Sequence, residues 1–149
     1  MVWARSVPRS SATPDPRPEP FGPLRILVVD DNRDATENMA LLLEARGHTV
    51  RVAHDGEEAL ILGEQFRPEV ALVDIGMPKM DGHEVAERMR QSPWGRVVYL
   101  IALTGWGQES DRRRSEAAGF DAHLVKPVSP DKLVSILNAR NTPGEVPAR

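Results

Sequence analysis

Residues 70–82 read VALVDIGMPKMDG, and this stretch decides the fold. Four consecutive apolar residues, Val70 to Val73, are typical of a strand buried on both faces of a parallel sheet. Asp74 follows them directly, and a Met-Pro turn comes after it. Packing does not explain a carboxylate at the end of a buried strand. The stretch therefore predicts a central strand that carries a chemically important side chain at its end.

The same unit of a short apolar run and an amphipathic segment recurs five times from Leu24 onward, which predicts βα units that feed a parallel sheet. The predicted strands cover residues 26–29, 49–53, 70–73, 97–103 and 122–125.

The segments between these strands carry helix signals. The first places Ala35, Met39, Leu42 and Leu43 on one face and stops at Gly47, and the third is predicted from about His83 to Gln91. Asp55 and Glu58 form a candidate capping box for a second helix that runs to about Phe66. The fourth helix is polar, passes through Arg112, Arg113 and Arg114, and is predicted to be loosely held because it buries only Ala117 and Ala118. Ser129 and Pro130 begin a last helix whose inward residues are predicted to be Leu133, Val134, Ile136 and Leu137.

The two ends of the chain differ from this pattern. Residues 1–23 are rich in Pro, Ser and Arg without helical or strand periodicity, and we expect a disordered tail there, with a ligand for a proline-binding module as the alternative. Residues 142–149 are expected to form a flexible tail, which leaves 24–141 as one domain.

The composition excludes several function classes. The 149 residues are 40% hydrophobic and carry a net charge of −3, so one domain with a core fits, and no basic field attracts nucleic acid or an anionic membrane. The absence of cysteine excludes disulfides and thiolate sites. No apolar run reaches the length of a membrane span or signal peptide, and we expect a cytoplasmic protein.

Polar residues end four of the five predicted strands. In an open parallel sheet the carboxyl ends of the strands form one crevice, so these side chains should converge. Clustered carboxylates repel each other unless a cation is present, and their oxygens suit a hard divalent ion, which predicts a Mg²⁺ site, with Mn²⁺ as the alternative ion. The residues are Asp30, Asp31, Asp74, Thr104 and Lys126.

This set of side chains also suits phosphoryl transfer. A carboxylate can attack phosphorus to form an acyl phosphate, while a metal ion and a fixed lysine neutralise the phosphoryl oxygens and a hydroxyl donates a hydrogen bond. Taken singly, each residue is better explained as a cap, a turn former or a solvated charge. Their occurrence at successive strand ends, in order, favours the chemical interpretation.

Four sequence strings carry a resemblance to a known family: VVDDN at 28–32, LVDIGMPKMDG at 72–82, ALTG at 102–105 and VKP at 125–127. Together they closely resemble the receiver domains of bacterial two-component response regulators (CheY-like), over roughly residues 24–140. The resemblance implies an α/β, flavodoxin-like (βα)5 three-layer sandwich whose five-stranded parallel sheet has the order 2-1-3-4-5.

The resemblance also implies roles for individual residues. Asp74 would be the phosphoacceptor, and Asp31, Asp74 and the carbonyl group of Gly76 would bind the metal ion directly, with Asp30 reaching it through water. Thr104 would bond to the phosphoryl group, and Lys126 would pair with that group and with Asp74. The peptide bond from Lys126 to Pro127 would be cis. Residues of the turn after Asp74 would have a structural role; these are Met77, Pro78, Asp81 and Gly82.

Two positions depart from the commonest family pattern. His123 stands where many receivers have a rotating Tyr or Phe, and it is either a switch residue or an ordinary strand-end histidine. Trp106, two positions after Thr104, either overhangs the pocket, where its emission would report Mg²⁺, or packs on the loop.

The leading functional hypothesis is a single-domain signalling switch that takes a phosphoryl group from a sensor or hybrid histidine kinase or a phosphotransfer protein. It would catalyse only its own phosphorylation and dephosphorylation, and it would act as a monomer on a protein partner, through its fourth helix, fifth strand and fifth helix. A haloacid-dehalogenase-type phosphatase would need an acid where Gly76 stands. A binding module that has lost phosphorylation would not keep every acid, and a DNA-binding regulator would need an added helix-turn-helix.

Overall fold

A computed structural model describes residues 23–77, 80–105 and 112–140 of the chain. Strands and helices alternate along it, as predicted. The strands are Arg25–Val29 (β1), Thr49–Ala53 (β2), Val70–Asp74 (β3), Tyr99–Thr104 (β4) and Ala122–Val125 (β5). The helices are Arg33–Ala45 (α1), Gly56–Phe66 (α2), Gly82–Arg90 (α3), Arg112–Ala118 (α4) and Pro130–Arg140 (α5). Residues 1–22 of the predicted N-terminal tail (1–23) and the whole predicted tail at 142–149 lie outside the described residues, as do Pro78 and Trp106.

All five strands are parallel, in the order β2-β1-β3-β4-β5, which confirms the predicted flavodoxin-like fold. β3 lies at the centre of the sheet, and every residue from Val70 to Asp74 is buried. The prediction of a strand covered on both faces is therefore confirmed. Because β3 is central and ends at Asp74, that carboxylate is placed at the middle of the carboxyl edge of the sheet.

The sheet has a separate hydrophobic core on each face, which gives the three layers. Successive strand residues point to opposite faces, so Leu27 and Val29 face α2 and α3, whereas Ile26 and Val28 face α1 and α5. Burial of each large apolar side chain contributes about 1.5–3 kcal/mol, so both layers are needed to hold the sheet. Among the described helices, none is both long and apolar enough to cross a membrane.

Two of the predicted helix starts can be compared with the structure. The Asp55 carboxylate accepts a hydrogen bond from the Glu58 N–H at 2.8 Å, as the capping box predicted. In a standard capping box the Glu58 carboxylate would accept from the N–H of Asp55. Here it accepts instead from the N–H of His54, one residue earlier, at 2.8 Å. At α5 the Ser129 hydroxyl accepts from the N–H of Lys132 at 3.4 Å, which confirms Ser129 as the cap.

The predicted fourth strand began too early. The prediction placed its start at Val97, but β4 starts at Tyr99 and the side chain of Val97 is 86% exposed. A short 3-10 turn, Trp94–Arg96, precedes it. Carbonyl groups on both sides of Val97 accept hydrogen bonds from Arg90, which hold this segment out of the sheet.

The prediction for α4 also needs one correction. Ala117 was expected to be buried and is exposed, whereas Ser115 and Ala118 are buried. A serine is tolerated inside because its hydroxyl has a hydrogen-bond partner, the ring of His83 on α3, at 3.0 Å. The inward face of α4 is therefore rotated relative to the one that hydrophobicity alone indicated.

Arg90 braces the opposite edge of the sheet, where the strands begin. Its guanidinium donates to the carbonyl oxygens of Gly95 at 2.8 Å and of Gly119 at 2.6 Å. It also pairs with the carboxylate of Asp121 at 2.9 Å, and that carboxylate accepts the N–H of Leu100 at 2.9 Å. One side chain thus joins the end of α3, the turn before β4 and the turn before β5.

We expect Arg90→Met to lower the free energy of unfolding by about 3 kcal/mol, because it leaves buried carbonyl groups and Asp121 without their charged partner. Urea denaturation followed by circular dichroism measures the change. The control is Arg88→Met on the same helix, whose exposed pair with Glu84 is expected to contribute less than about 1 kcal/mol. Equal losses in the two variants would contradict the bracing role of Arg90.

Candidate functional site

The carboxyl edge of the sheet brings together all of the strand-end residues that the sequence singled out. Asp30 and Asp31 follow β1, Asp74 ends β3, Thr104 ends β4 and Lys126 follows β5. One carboxylate oxygen from each of the three acids lies within 4.8 Å of the others. Residues up to 96 positions apart in the chain are therefore in one pocket, as the parallel topology predicted.

The Asp74 carboxylate is oriented by its own backbone. One oxygen accepts a hydrogen bond from the N–H of Gly76 at 2.9 Å, and the N–H of Ile75 continues the sheet by donating to the carbonyl of Leu103 at 3.1 Å. The Asp74 side chain therefore closes the turn that follows β3. The second carboxylate oxygen faces the pocket and Lys126.

Gly82 allows the turn after Asp74 to fold back against the end of β3. A Cβ atom at this position would lie 2.6 Å from Cα of Ile75 and 2.7 Å from the carbonyl oxygen of Asp74. Because these are backbone atoms, a larger residue would force the turn to move. The structural role expected for Gly82 therefore has a definite cause, which is the close packing of α3 beneath the Asp74 backbone.

Asp30 and Asp31 are adjacent in sequence but differ in their surroundings. The Asp30 side chain is 2% exposed, and its two oxygens accept from the N–H of Asn32 at 3.0 Å and from Nζ of Lys126 at 2.8 Å. Asp31 is exposed, and its side chain makes no hydrogen bond or ion pair with another residue of the described ranges. Asp31 is therefore the acid of the group that is open to an external ligand.

Lys126 is the cation of the pocket. Its Nζ atom lies 2.8 Å from Asp30 and 3.2 Å from Asp74, so it bridges the ends of β1 and β3. Its N–H donates to the carbonyl of Thr104 at 2.7 Å, which ties the loop after β5 to the end of β4. The peptide bond from Lys126 to Pro127 is cis. The cis bond that the family resemblance implied is confirmed.

The charges in the pocket shift two pKa values. Burial raises the pKa of Asp74, the N–H of Gly76 partly offsets this shift, and the negative charge of Asp30 adds to it. Burial lowers the pKa of Lys126, but its pairs with Asp30 and Asp74 outweigh burial, so the net shift is upward. Lys126 thus stays charged, whereas the ionised form of Asp74 is disfavoured in a way that a further cation would relieve.

Thr104 and His123 lie on the β4–β5 side of the pocket. The Thr104 side chain is buried, and its hydroxyl donates to the carbonyl of Leu124 at 3.4 Å. His123 is half-buried in β5, beside Ala102 of β4 in the strand register. Because neighbouring residues of parallel strands share a face, His123 is on the face of the sheet that α2 and α3 cover.

The donor set fits a divalent ion that prefers oxygen. Among the described residues, the three carboxylates and Lys126 together carry a net negative charge. In the same ranges, this is the group of acids that converges closely enough to bind a metal ion. Hard cations such as Mg²⁺ and Mn²⁺ take carboxylate and carbonyl oxygens together with water. The pocket could therefore hold such an ion at Asp31 and Asp74.

Sequence reasoning missed one connection of the site. Asp81 caps α3 by accepting from the N–H of Glu84 at 3.1 Å, and its other oxygen accepts from Arg114 of α4, also at 3.1 Å. The run of three arginines on α4 was the available signal, but sequence alone did not indicate which of them has a partner.

Comparison with known proteins identifies the family. A family model described as the response regulator receiver domain matches residues 26–138. This chain is a response regulator receiver domain. Receiver domains are the signalling modules of two-component systems, which agrees with the resemblance found in the sequence.

Relatives and solved structures support the assignment of this receiver domain. An uncharacterised 14.6 kDa protein of Leptolyngbya boryana is 40% identical over 112 residues, which are 75% of this chain and 86% of that protein. The response regulator MprA of Mycobacterium sp. strain KMS is 37% identical over 84% of this chain, which spans 55% of the length of MprA.

Two solved structures show the same fold. The chemotaxis protein CheY4 of Vibrio cholerae is similar with a TM-score of 0.73 and 29% identity, covering 76% of this chain and 94% of that one. A CheY-like receiver domain protein of Methanospirillum hungatei has a TM-score of 0.71 and 32% identity, covering 78% of this chain and 91% of that one.

We expect Mn²⁺ to bind this receiver domain at one site, because a cation relieves the repulsion between the clustered carboxylates. Electron paramagnetic resonance of free Mn²⁺ measures the binding. Asp31→Asn is expected to weaken it at least about ten-fold, whereas Asp34→Asn, at an exposed acid in the first turn of α1, is expected to leave it nearly unchanged. The same affinity in Asp31→Asn as in the native protein would contradict the site.

Proposed function

We propose that this receiver domain is a phosphoacceptor switch in which Asp74 takes a phosphoryl group from the phosphohistidine of a sensor or hybrid histidine kinase or of a phosphotransfer protein. The observation that most supports the proposal is the position of Lys126, 3.2 Å from Asp74, within a group of three acids at the centre of the carboxyl edge. A structural salt bridge alone would not require the exposed third acid, Asp31.

The proposed reaction is one displacement at phosphorus. An oxygen of the ionised Asp74 carboxylate attacks the phosphorus atom and forms a P–O bond. The donor imidazole carries a proton on its other ring nitrogen, so it leaves as a neutral ring when the P–N bond breaks and the electron pair remains on the nitrogen that held the phosphorus. The product is an acyl phosphate and a neutral imidazole. The bond from the Gly76 N–H fixes one carboxylate oxygen, so the other is the one presented to the donor.

Metal binding is proposed for Asp31, Asp74 and the carbonyl oxygen of Gly76, with Asp30 contributing through water. Mg²⁺ is the proposed ion, and Mn²⁺ is the alternative. When bound, the ion neutralises charge on the transferring phosphoryl oxygens. Asp30 is suited to the indirect role because Asn32 and Lys126 already occupy its two oxygens.

Two further residues are proposed to stabilise the phosphorylated state. Lys126 is already charged and placed between Asp30 and Asp74, so it can pair with a phosphoryl oxygen without moving far. The Thr104 hydroxyl now makes a long bond of 3.4 Å to the Leu124 carbonyl, and we propose that it turns to donate to the phosphoryl group. That exchange costs little because a neutral bond of this length is weak and the new acceptor is charged.

Signalling is proposed to occur through protein contacts of the face formed by α4, β5 and α5. The Thr104 bond to the Leu124 carbonyl joins the pocket directly to β5, and the N–H of Lys126 joins β5 back to β4. A rotation of the Thr104 side chain would therefore affect β5 first. The domain is proposed to catalyse only its own phosphorylation and dephosphorylation. A haloacid-dehalogenase-type phosphatase would need a carboxylic acid at the position of Gly76.

We expect acetyl phosphate with Mg²⁺ to add one phosphoryl group to the intact protein, because Asp74 is the acid beside both the metal-binding carboxylates and Lys126. Intact-protein mass spectrometry measures the added mass. Asp74→Asn is expected to lower the yield at least about ten-fold, and Asp131→Asn on the exposed start of α5 is expected to match the native protein.

A similar yield in Asp74→Asn would mean that another residue is the acceptor. Continuous release of phosphate over many turnovers, with no acyl phosphate accumulating, would instead indicate a phosphatase.

A further inference from the structure

α4 is joined to the start of α3 by two polar contacts. The ring Nε2 of His83 lies 3.0 Å from the Ser115 hydroxyl, and both residues are buried. The guanidinium of Arg114, the preceding residue of α4, pairs with the carboxylate of Asp81 at 3.1 Å. We call Asp81, His83, Arg114 and Ser115 the α3–α4 latch.

Both contacts of the latch begin next to the acceptor strand. Asp81 and His83 flank Gly82, and a Cβ atom on Gly82 would lie 2.7 Å from the carbonyl oxygen of Asp74. The N–H of Gly82 also donates to the carbonyl of Ile75 at 3.4 Å. Gly82 therefore packs closely against the backbone at the end of β3, and Asp81 and His83 of the latch lie on either side of it.

The arrangement of an acid, a histidine and a serine does not form a nucleophilic triad. Ser115 is 0% exposed, so no substrate can reach its hydroxyl. The distance from Nδ1 of His83 to the Asp81 carboxylate is 3.9 Å, which is too long for the hydrogen bond that orients a catalytic imidazole. We therefore interpret the two contacts of the latch as structural: they hold α4 in position against α3.

Few apolar contacts hold α4 in position besides the latch. Within the described part of this helix Ala118 is buried, whereas Arg113, Glu116 and Ala117 are exposed. A helix with so little buried apolar surface takes a large share of its stability from individual polar contacts. The position of α4 should consequently respond to small movements of Asp81 and His83.

We infer that Asp81 and His83 are positioning residues that hold α4 against α3 and release it when the turn after Asp74 moves. The inference rests on the proposed function, since a phosphoryl group on Asp74 is what moves the turn. That group adds nearly two negative charges beside a closely packed turn, which must shift to admit it. Such a shift displaces Asp81 and His83 together because Gly82 lies between them.

The test measures hydrogen exchange of the α4 amides in the full chain, with and without beryllofluoride and Mg²⁺, by mass spectrometry. Arg114→Gln and Ser115→Ala each remove one contact of the latch. Arg113→Gln is the matched control, because it removes the same charge from the exposed neighbouring position. Arg114 is largely exposed, so its substitution leaves the core intact even if Ser115→Ala perturbs folding.

Without beryllofluoride, we expect α4 to exchange about five-fold faster in Arg114→Gln and in Ser115→Ala than in the native protein, and Arg113→Gln to stay within about two-fold of it. Beryllofluoride is expected to accelerate exchange of α4 in the native protein and in Arg113→Gln, and to have at most half that effect in the two latch variants.

Exchange in Arg114→Gln and Ser115→Ala that matches Arg113→Gln would overturn the latch. That comparison is made without any phosphoryl mimic and so does not depend on the chemistry of Asp74. Failure of Asp74 to accept a phosphoryl group in the mass measurement would overturn the proposed function instead. An equal response of all four proteins to beryllofluoride would overturn the release of α4 on phosphorylation.

Discussion

The carboxylates of Asp30 and Asp74 lie together at the ends of two neighbouring buried strands, and Lys126 is the cation between them. Burial raises the pKa of Asp74, and the negative charge of Asp30 adds to the shift, so the ionised form of Asp74 is unfavourable in this pocket. The arrangement is tolerated because the loop after β5 brings an ammonium group to both acids. The parallel order of the strands is what makes this geometry available, since it places every strand end on one edge.

The rest of the domain can be understood as support for that edge. The two hydrophobic cores fix the sheet between its helix layers, and the close packing of Gly82 beneath β3 fixes the turn that carries Gly76. At the opposite edge Arg90 joins three chain segments through carbonyl groups and Asp121. The N-terminal edge is therefore braced by several bonds to one side chain, whereas the carboxyl edge is held by a few charges that a ligand can rearrange.

Much of the fold and most of the candidate site could be predicted from sequence, because both depend on local patterns. Apolar runs marked most of the strands, and the polar residues at the ends of four of them marked the pocket. The errors have a different origin. Val97 was assigned to β4 on its hydrophobicity, but bonds from Arg90 keep it outside the sheet. Ala117 was assigned inward for the same reason, but His83, 32 positions from Ser115, determines which side of α4 is buried. Such contacts between distant residues leave no periodic signal in the sequence.

The hydrogen bonds of Arg90 also determine how α4 can move. Gly119 follows this helix directly with a φ of +112°, and its carbonyl oxygen is held by Arg90 at 2.6 Å. Once the latch is released, the C-terminal end of α4 would thus act as a pivot and its N-terminal end would move furthest. A helix of seven residues is roughly 10 Å long, so a tilt of about 10° would carry the far end by roughly 2 Å while Gly119 stays in place. A partner that contacts the first turn of α4 would experience nearly all of that displacement, and one that contacts its last turn would experience almost none.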